Sequence, residues 1–246
     1  MLDDPKMLMI ALAAAVCIGL SKAGFSGLSV VSVVILAEIY GAKPSVGLAL
    51  PLLIAADLMA YPAFLKHGSW KPVWKLLPAT LVGLFMGWWL LSKIDGVTLK
   101  RLIGFCVLLM VFLQTFRKIS PQRFTAIADS KGFGLAAGGF GGFSTMVANA
   151  AGPVIQLYFL ARRIPKMEMI GIGARFFLLV NIIKVPMNAS LAIITKESLW
   201  ENAKLLPGVF FGIIVGRWLI RRVPQAAFEW MIVGFSFLAA IWLLRG

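Results

Sequence analysis

Apolar residues fill long stretches of this chain, and polar residues gather in short clusters between them. Six apolar stretches are about 16–22 residues long, close to the length that an α-helix needs to cross a bilayer. Full-length transmembrane helices are therefore predicted at residues 44–65, 76–91, 101–116, 167–187, 204–220 and 227–244. The pattern is typical of an all-α polytopic membrane protein.

Two pairs of shorter apolar segments precede these helices. Segments 7–20 and 28–37 are each too short to span a membrane, and segments 132–143 and 146–161 form a similar glycine-broken pair. Each pair is predicted to be a re-entrant helical hairpin, with its irregular tip buried in protein or lining a wet cavity. The predicted tips are Gly24, Phe25, Ser26 and Gly27 in the first half, and Gly142, Phe143, Ser144 and Thr145 in the second.

The second half of the chain repeats the pattern of the first. Leu76-Leu77-Pro78 recurs 129 residues later as Leu205-Leu206-Pro207, and Asp57 has a counterpart 124 residues later in Asn181. Each half contains one hairpin and three crossings, and this odd number predicts two inverted repeats. The repeats are residues 1–116 and 132–246, joined by a basic cytoplasmic linker at 117–131.

Composition strengthens the membrane interpretation. The chain is 60% apolar and 14% charged, and its mean hydropathy is +0.91. Its net charge of +14 comes from lysines and arginines in short loops, which orient membrane spans, so no nucleic-acid partner is expected. With hairpins, the loop cations divide 12 to 8, and the richer side, which includes the linker, is assigned to the cytoplasm. Both termini are then expected outside.

Four cations lie inside apolar segments, where charges are costly and are usually functional or paired. Lys22 lies in the first predicted tip and Arg175 near the middle of its span, so both are expected to contact an anion. Lys184, near the end of the same span, either acts there or extends to the interface, and Arg217 is expected to extend to the surface.

Neutral donors and helix ends add to the predicted anion site. The two tips would point helix N-termini at one place, and Ser26, Ser144 and Asn149 could donate hydrogen bonds there. Asp57 is the acid deep in an apolar span. It either takes up a coupling proton or neutralises Lys184 or Arg175, with Asn181 as its neutral counterpart in the other half.

Catalytic and cofactor chemistry is not indicated. Cys17 and Cys106 lie in apolar runs without metal-ligand spacing, and His67 is the single histidine. The sequence has no nucleophile–base set and no nucleotide-binding motif. We therefore expect no enzyme activity, no metal site and no cofactor.

The two Gly-Phe-Ser breaks, each followed by three spans with a Leu-Leu-Pro and glycine stretch, resemble the TauE/SafE family. This family is also called the 4-toluene sulfonate uptake permease family, and the resemblance covers almost the whole chain. It implies transport of sulfur-containing anions, often as export from bacteria. The absence of tip cysteines favours a sulfite or organosulfonate exporter over the thiosulfate-importing branch.

The resulting hypothesis is a secondary transporter of sulfite or a short organosulfonate in the bacterial inner membrane, working by alternating access. An anion channel and a transporter of a non-sulfur organic anion are the alternatives. The coupling ion, a proton or sodium, and the direction of transport stay open, as does the oligomeric state, for which a homodimer is one option.

Overall fold

The computed structural model describes residues 4–128 and 130–224, with residues 2, 227, 230, 231 and 234 beyond them. The described part is all-helical. Its ten helices are α1 (Pro5–Lys22), α2 (Gly27–Tyr40), α3 (Ala42–Phe64), α4 (Lys71–Lys93), α5 (Gly96–Ile119), α6 (Pro121–Ala128), α7 (Lys131–Ala148), α8 (Gly152–Ala161), α9 (Lys166–Ser190) and α10 (Lys196–Arg222).

Six of these helices are long and apolar enough to cross a membrane: α1, α3, α4, α5, α9 and α10. Five of these helices, namely α3, α4, α5, α9 and α10, correspond to predicted spans. The remaining predicted span, 227–244, lies outside the described residues apart from single positions. The prediction for α1 was wrong in length. We expected 7–20 to be too short to span, but Pro5 starts the helix earlier, and its 18 residues extend about 27 Å.

The outer surface of the long helices is apolar. Large exposed side chains include Val82, Phe85 and Trp89 on α4, Phe105 and Phe112 on α5, and Phe210, Phe211, Ile214 and Trp218 on α10. The buried interior instead contains polar and charged side chains, among them Asp57, Arg175, Asn181 and Lys184. A surface that is apolar outside and an interior that is partly polar suit a protein surrounded by lipid.

Helix α2 folds back along α1. Between them Gly24 has φ 126°, a conformation that L side chains rarely adopt, and this reverses the chain. Leu2 and Ala11, near the start of α1, share an apolar cluster with Leu36, near the end of α2. The first glycine-broken pair is therefore a helical hairpin, as predicted.

Helix α8 folds back along α7 in the same way. Tyr158 packs against Gly134 and Ile155 against Gly141, so contacts run in opposite order along the two helices. The predicted tip at 142–145 was wrong, because these residues lie within α7. The chain reverses at residues 149–151, where Asn149 takes a left-handed conformation with φ 53° and caps α7.

Helix α1 packs in parallel against α10 through a row of glycines. Gly208 lies against Ala15, Gly212 against Gly19, and Gly216 against Ala23. A Cβ on Gly212 would lie 2.3 Å from the Val16 carbonyl oxygen, so a side chain at this position would separate the backbones.

Helix α4 packs in parallel against α7 in a matching way. Gly138 lies against Leu76 and Ala79, Gly83 against Gly139 and Phe143, and Gly87 against Met146, so residue numbers rise together along the two helices. A Cβ on Gly83 would meet the Gly139 carbonyl oxygen at 1.9 Å. Each hairpin therefore packs its first helix against the Leu-Leu-Pro helix of the other half of the chain.

Helices α3 and α9 cross antiparallel at the centre. Gly47 meets Ile193, Asp57 meets Asn181, and Gly171 meets His67, so residue numbers rise along one helix as they fall along the other. This crossing brings the buried acid of one half beside its counterpart in the other half, next to the two hairpin tips.

Candidate functional site

A cavity with a partly polar lining lies where the two hairpins meet. Gly152, at the start of α8, packs against Ser26 and Ser29 at the start of α2. The cavity offers about 40 Å³ to the centres of water molecules, enough for about three waters. Its polar lining comes from Ser21, Lys22, Ser26, Ser29, Thr145, Asn149, Gln156 and Asn181.

The N-termini of α2 and α8 face this region. The first backbone N–H groups of a helix carry its positive dipole end. In α2 those of Leu28 and Ser29 already donate to the Phe25 and Ser26 carbonyl oxygens, and in α8 Pro153 has no N–H group. Ser26 and Ala151, the residues that precede the two helices, form no side-chain capping bond. The two helix starts therefore favour a negatively charged group between them.

Gln156 joins the two hairpins beside the cavity. Its amide nitrogen donates to the Gly24 carbonyl oxygen at 3.0 Å, and its amide oxygen accepts from the Ser26 hydroxyl at 2.5 Å. All three residues line the cavity. This cross-link holds the first tip against α8.

A buried ion pair closes one side of the cavity. The Lys22 ammonium lies 2.7 Å from Asp57 Oδ1, and the Asn181 amide nitrogen donates to Asp57 Oδ2 at 2.7 Å. The Lys22 ammonium also lies 4.7 Å from the centre of the Phe177 ring. Asp57 is fully buried, whereas Lys22 and Asn181 line the cavity.

A second buried cation holds the second tip. Lys184 is fully buried, and its ammonium donates to the Thr145 carbonyl oxygen at 2.7 Å and to the side-chain oxygen of Asn149. The Asn149 amide nitrogen in turn donates to the Val46 carbonyl oxygen of α3 at 3.0 Å. Lys184 thus caps the C-terminal end of α7, where the helix dipole favours a cation, and does not extend to the interface.

The charges around the cavity do not balance. Within the described residues, the charged groups around the cavity are the ammonium groups of Lys22 and Lys184 and the carboxylate of Asp57. Two cations against one anion leave one positive charge in excess when all three are ionised. Buried charges are stable only when compensated, so the cavity suits a small anion.

Arg175 lies elsewhere. Its guanidinium donates to the carbonyl oxygens of Leu65, His67 and Gly171 at 2.6–2.8 Å, and it lies over the Tyr61 ring. The expectation that Arg175 contacts the anion beside Lys22 is not supported by this geometry, since its charge is used to hold the chain that follows α3. The helical pattern of α9 carries no information about that tertiary contact.

The remaining predicted site residues divide into three groups. Gly24, Ser26, Thr145 and Asn149 line the cavity. Phe25, Gly27 and Ser144 are buried beside it, and Ser144 donates to the Gly141 carbonyl oxygen of its own helix. Gly142 and Phe143 serve helix packing, because Gly142 lies against Thr80 of α4 and Phe143 contacts Gly83.

Sequence reasoning missed three polar residues of the cavity. Gln156 is a polar residue inside the apolar run of α8, one turn after Gly152, and that isolation was its signal. Ser21 and Ser29 flank the first tip, but each also donates to a carbonyl oxygen of its own chain region, as many helical serines do.

The fold and the cavity define the class of protein: a polytopic helical membrane protein with a small cavity, lined by Lys22 and several neutral polar side chains, between two helical hairpins. The family described as "Sulfite exporter TauE/SafE" matches residues 11–243, and the chain belongs to this family of membrane transporters. Its members are transporters and not enzymes. The curated proteins and the solved structures gave no significant match to the chain.

Proposed function

We propose that this protein is a secondary transporter that exports a small sulfur-containing anion, sulfite or a short organosulfonate, and binds it in the cavity between the two hairpins. The observation that carries the proposal is the excess positive charge at a cavity flanked by the N-termini of α2 and α8. Membership in the sulfite exporter family supports the same class of substrate.

The binding groups suit a compact oxyanion. Sulfite and sulfonate groups each present three oxygens that accept hydrogen bonds, and an ammonium such as Lys22 supplies charge-assisted donors. The backbone N–H groups of Gly27 and Gly152, at the starts of α2 and α8, supply further donors beside the same cavity. Its small volume favours a headgroup with at most a short organic substituent.

We further propose that the two halves are inverted repeats and that the hairpins are re-entrant. The antiparallel crossing of α3 and α9 supports this, because Asp57 meets its own repeat counterpart Asn181. The reciprocal packing of α1 with α10 and of α4 with α7 is the second support. Such halves could alternate access by moving relative to each other around the cavity.

Orientation and location complete the proposal. The loops between α3 and α4 and between α8 and α9, together with the 117–131 linker, carry the larger share of basic residues and would face the cytoplasm. Both termini would then be periplasmic, in the inner membrane of a bacterium.

The test is counterflow in proteoliposomes. Vesicles loaded with unlabelled sulfite should accumulate external radiolabelled sulfite transiently, since a transporter exchanges the two whereas a simple channel does not.

The double variant Lys22→Gln/Asp57→Asn removes the ion pair without leaving either partner unpaired. It should weaken sulfite affinity roughly ten- to hundred-fold, because one charge-assisted bond is lost. Arg217→Gln, which changes a cation of α10 outside the cavity, is the control.

Each outcome points to one conclusion. Flux without counterflow would favour an anion channel. Counterflow driven by carboxylates and not by sulfite or alkanesulfonates would favour a transporter of a non-sulfur organic anion. Unchanged affinity in the double variant would remove Lys22 from the binding site and overturn the cavity assignment.

A further inference from the structure

The Lys22–Asp57–Asn181 group contains an acceptor without a donor. Asn181 donates its amide nitrogen to Asp57, which fixes the amide orientation and turns its oxygen, Oδ1, away from the carboxylate. This oxygen is buried and has no hydrogen-bond partner among the described residues. Asn181 lines the cavity, so its free acceptor lies beside a site whose overall charge favours an anion. An acceptor at this place disfavours a bound oxyanion.

From this arrangement we infer that Asp57 binds a proton when the anion enters the cavity, so that proton and anion are bound together. The inference rests on the proposed function, since it concerns the same cavity. In the empty protein the Asp57 carboxylate neutralises Lys22 at 2.7 Å. An incoming anion competes for that ammonium, and two negative groups would then share one cation in a buried space.

Protonation removes this competition in one step. The Asp57 carboxylate takes up one proton from the bulk solution, carried to it through water in the cavity, and becomes a neutral acid, while Lys22 keeps its own proton and stays charged. The Lys22 ammonium is then free to bind the anion. The acid O–H can donate to Asn181 Oδ1 once the amide turns over, and this turn points the amide N–H groups towards the anion.

Asp57 is the carboxyl group of this buried cluster. The charged side chains around it are Lys22 of α1 and Lys184 of α9, and both are cations. On α3 itself, Tyr61 lies one turn further on, against the Arg175 guanidinium. Thr145 and Asn149 of α7 bind Lys184. The other helices packed on α3 present apolar side chains to the core: Leu36 of α2, Val209 and Ile213 of α10, and Leu99 and Ile103 of α5. Helix α5 also presents the thiol of Cys106, which is a weak acid.

The test uses methanesulfonate, because this anion keeps a single charge over the whole neutral range whereas sulfite itself changes charge. Binding to the purified full-length protein is measured calorimetrically in two buffers with different ionisation heats, which counts the protons taken up. Wild type should take up close to one proton per methanesulfonate bound. In the pH range where Asp57 is ionised in the free protein, the affinity of wild type for methanesulfonate should increase by up to tenfold for each unit by which the pH is lowered.

The variant Asp57→Asn copies the protonated side chain, and its affinity should no longer depend on pH. His67→Gln is the matched control, because it removes the single histidine of the chain and leaves the cavity unchanged. The control should keep the pH dependence of wild type. If Asp57→Asn does not fold, the proton counts on wild type and on His67→Gln still test whether a proton that does not belong to the histidine is bound together with the anion.

Three results would overturn the inference. Methanesulfonate binding to wild type without proton uptake would refute the coupling and leave the proposed function intact. Loss of the pH dependence in His67→Gln would assign the proton to the histidine. Failure of methanesulfonate and sulfite to bind wild type at any pH would refute the proposed function itself, and the inference with it.

Discussion

The Lys22 ammonium and the Arg175 guanidinium are both buried, but they meet different kinds of oxygen. Lys22 meets a carboxylate, a charged partner that an entering anion can replace. Arg175 meets three carbonyl oxygens that belong to the backbone and cannot leave. A planar guanidinium suits that arrangement because its donors are fixed in several directions at once. Under the proposed function the first cation is available to the substrate, whereas the second holds the fold.

Replacing Arg175 should therefore affect stability more than binding. Arg175→Gln would remove charge-assisted donors from the carbonyl oxygens of Leu65 and His67, at a cost of about 2 kcal/mol or more. Arg175→Lys should also be destabilised, because one ammonium cannot replace the planar fork. Thermal unfolding of the purified variants and their sulfite affinity are the measurements.

Arg217→Gln serves as the control for this experiment, because Arg217 is a half-buried cation near the end of α10 and should change the melting temperature little. A stable Arg175→Gln variant with weakened sulfite binding would contradict the structural role. It would return Arg175 to the substrate site that its position in the sequence suggested.

At this scale the sequence was informative about which residues matter and less so about what they touch. Lys22, Asp57, Asn181 and Lys184 stood out because charged or amide groups are rare and costly in apolar segments. Their partners depend on how helices distant in sequence cross, as in the contact of Lys184 with Thr145. The choice between proton coupling and charge pairing for Asp57 could not be made from its position alone.

Among the helices, glycine has two different uses in this fold. Gly24 allows the chain to reverse, since its φ of 126° is open to glycine. Gly83 and Gly212 lie inside regular helices and instead allow two backbones to touch. A glycine-rich pattern therefore indicates a break or a close helix contact, and the pattern alone does not distinguish them.

That ambiguity explains the misplaced second tip. The match of residues 142–144 with the Gly-Phe-Ser motif of residues 24–26 suggested a break, but Gly142 and the neighbouring Gly139 face α4 in a continuous helix. The actual break has a different signature. Asn149 takes the left-handed conformation that ends a helix, and Pro153 stands in the first turn of the next, where its missing N–H costs little.

The glycine contacts make a prediction about helix packing. Gly83→Ala and Gly212→Ala should each destabilise the protein by on the order of 1–3 kcal/mol, because the added methyl group would overlap a backbone carbonyl oxygen. Gly104→Ala is the matched control, since nothing lies within 4 Å of a Cβ at this position of α5. Alanine there should be neutral or stabilising by up to about 1 kcal/mol.

Thermal unfolding in one detergent measures all three variants. Gly83 and Gly212 occupy the same position of the proposed repeat, 129 residues apart, so their effects should be similar. A large effect at one of them and none at the other would contradict the reciprocal packing of the two halves.

For the whole molecule, the directions of the helices form one consistent set. Helix α1 runs parallel to α10, α4 parallel to α7, and α3 antiparallel to α9, while each hairpin reverses direction at its tip. The apolar pattern and the repeat offset pointed to this arrangement, because they depend on segment length and order. The sequence could not reveal that the hairpins pack against the opposite halves, since no local pattern records which helices touch.

The same set of directions predicts which loops share a side of the membrane. In a variant without Cys17 and Cys106, single cysteines replacing Ser69, Arg123 and Ile164 should lie on the basic side and resist an impermeant thiol reagent in intact cells. Single cysteines replacing Gly96 and Ala192, which are exposed at the opposite ends of the helices, should react. Labelling after permeabilisation confirms that each site is reactive.

Reaction at positions 69, 123 and 164, with positions 96 and 192 protected, would reverse the orientation and leave the hairpins intact. Reaction at 69 or 123 with 164 protected would require one glycine-broken pair to cross as a straight span and would contradict the inverted repeat.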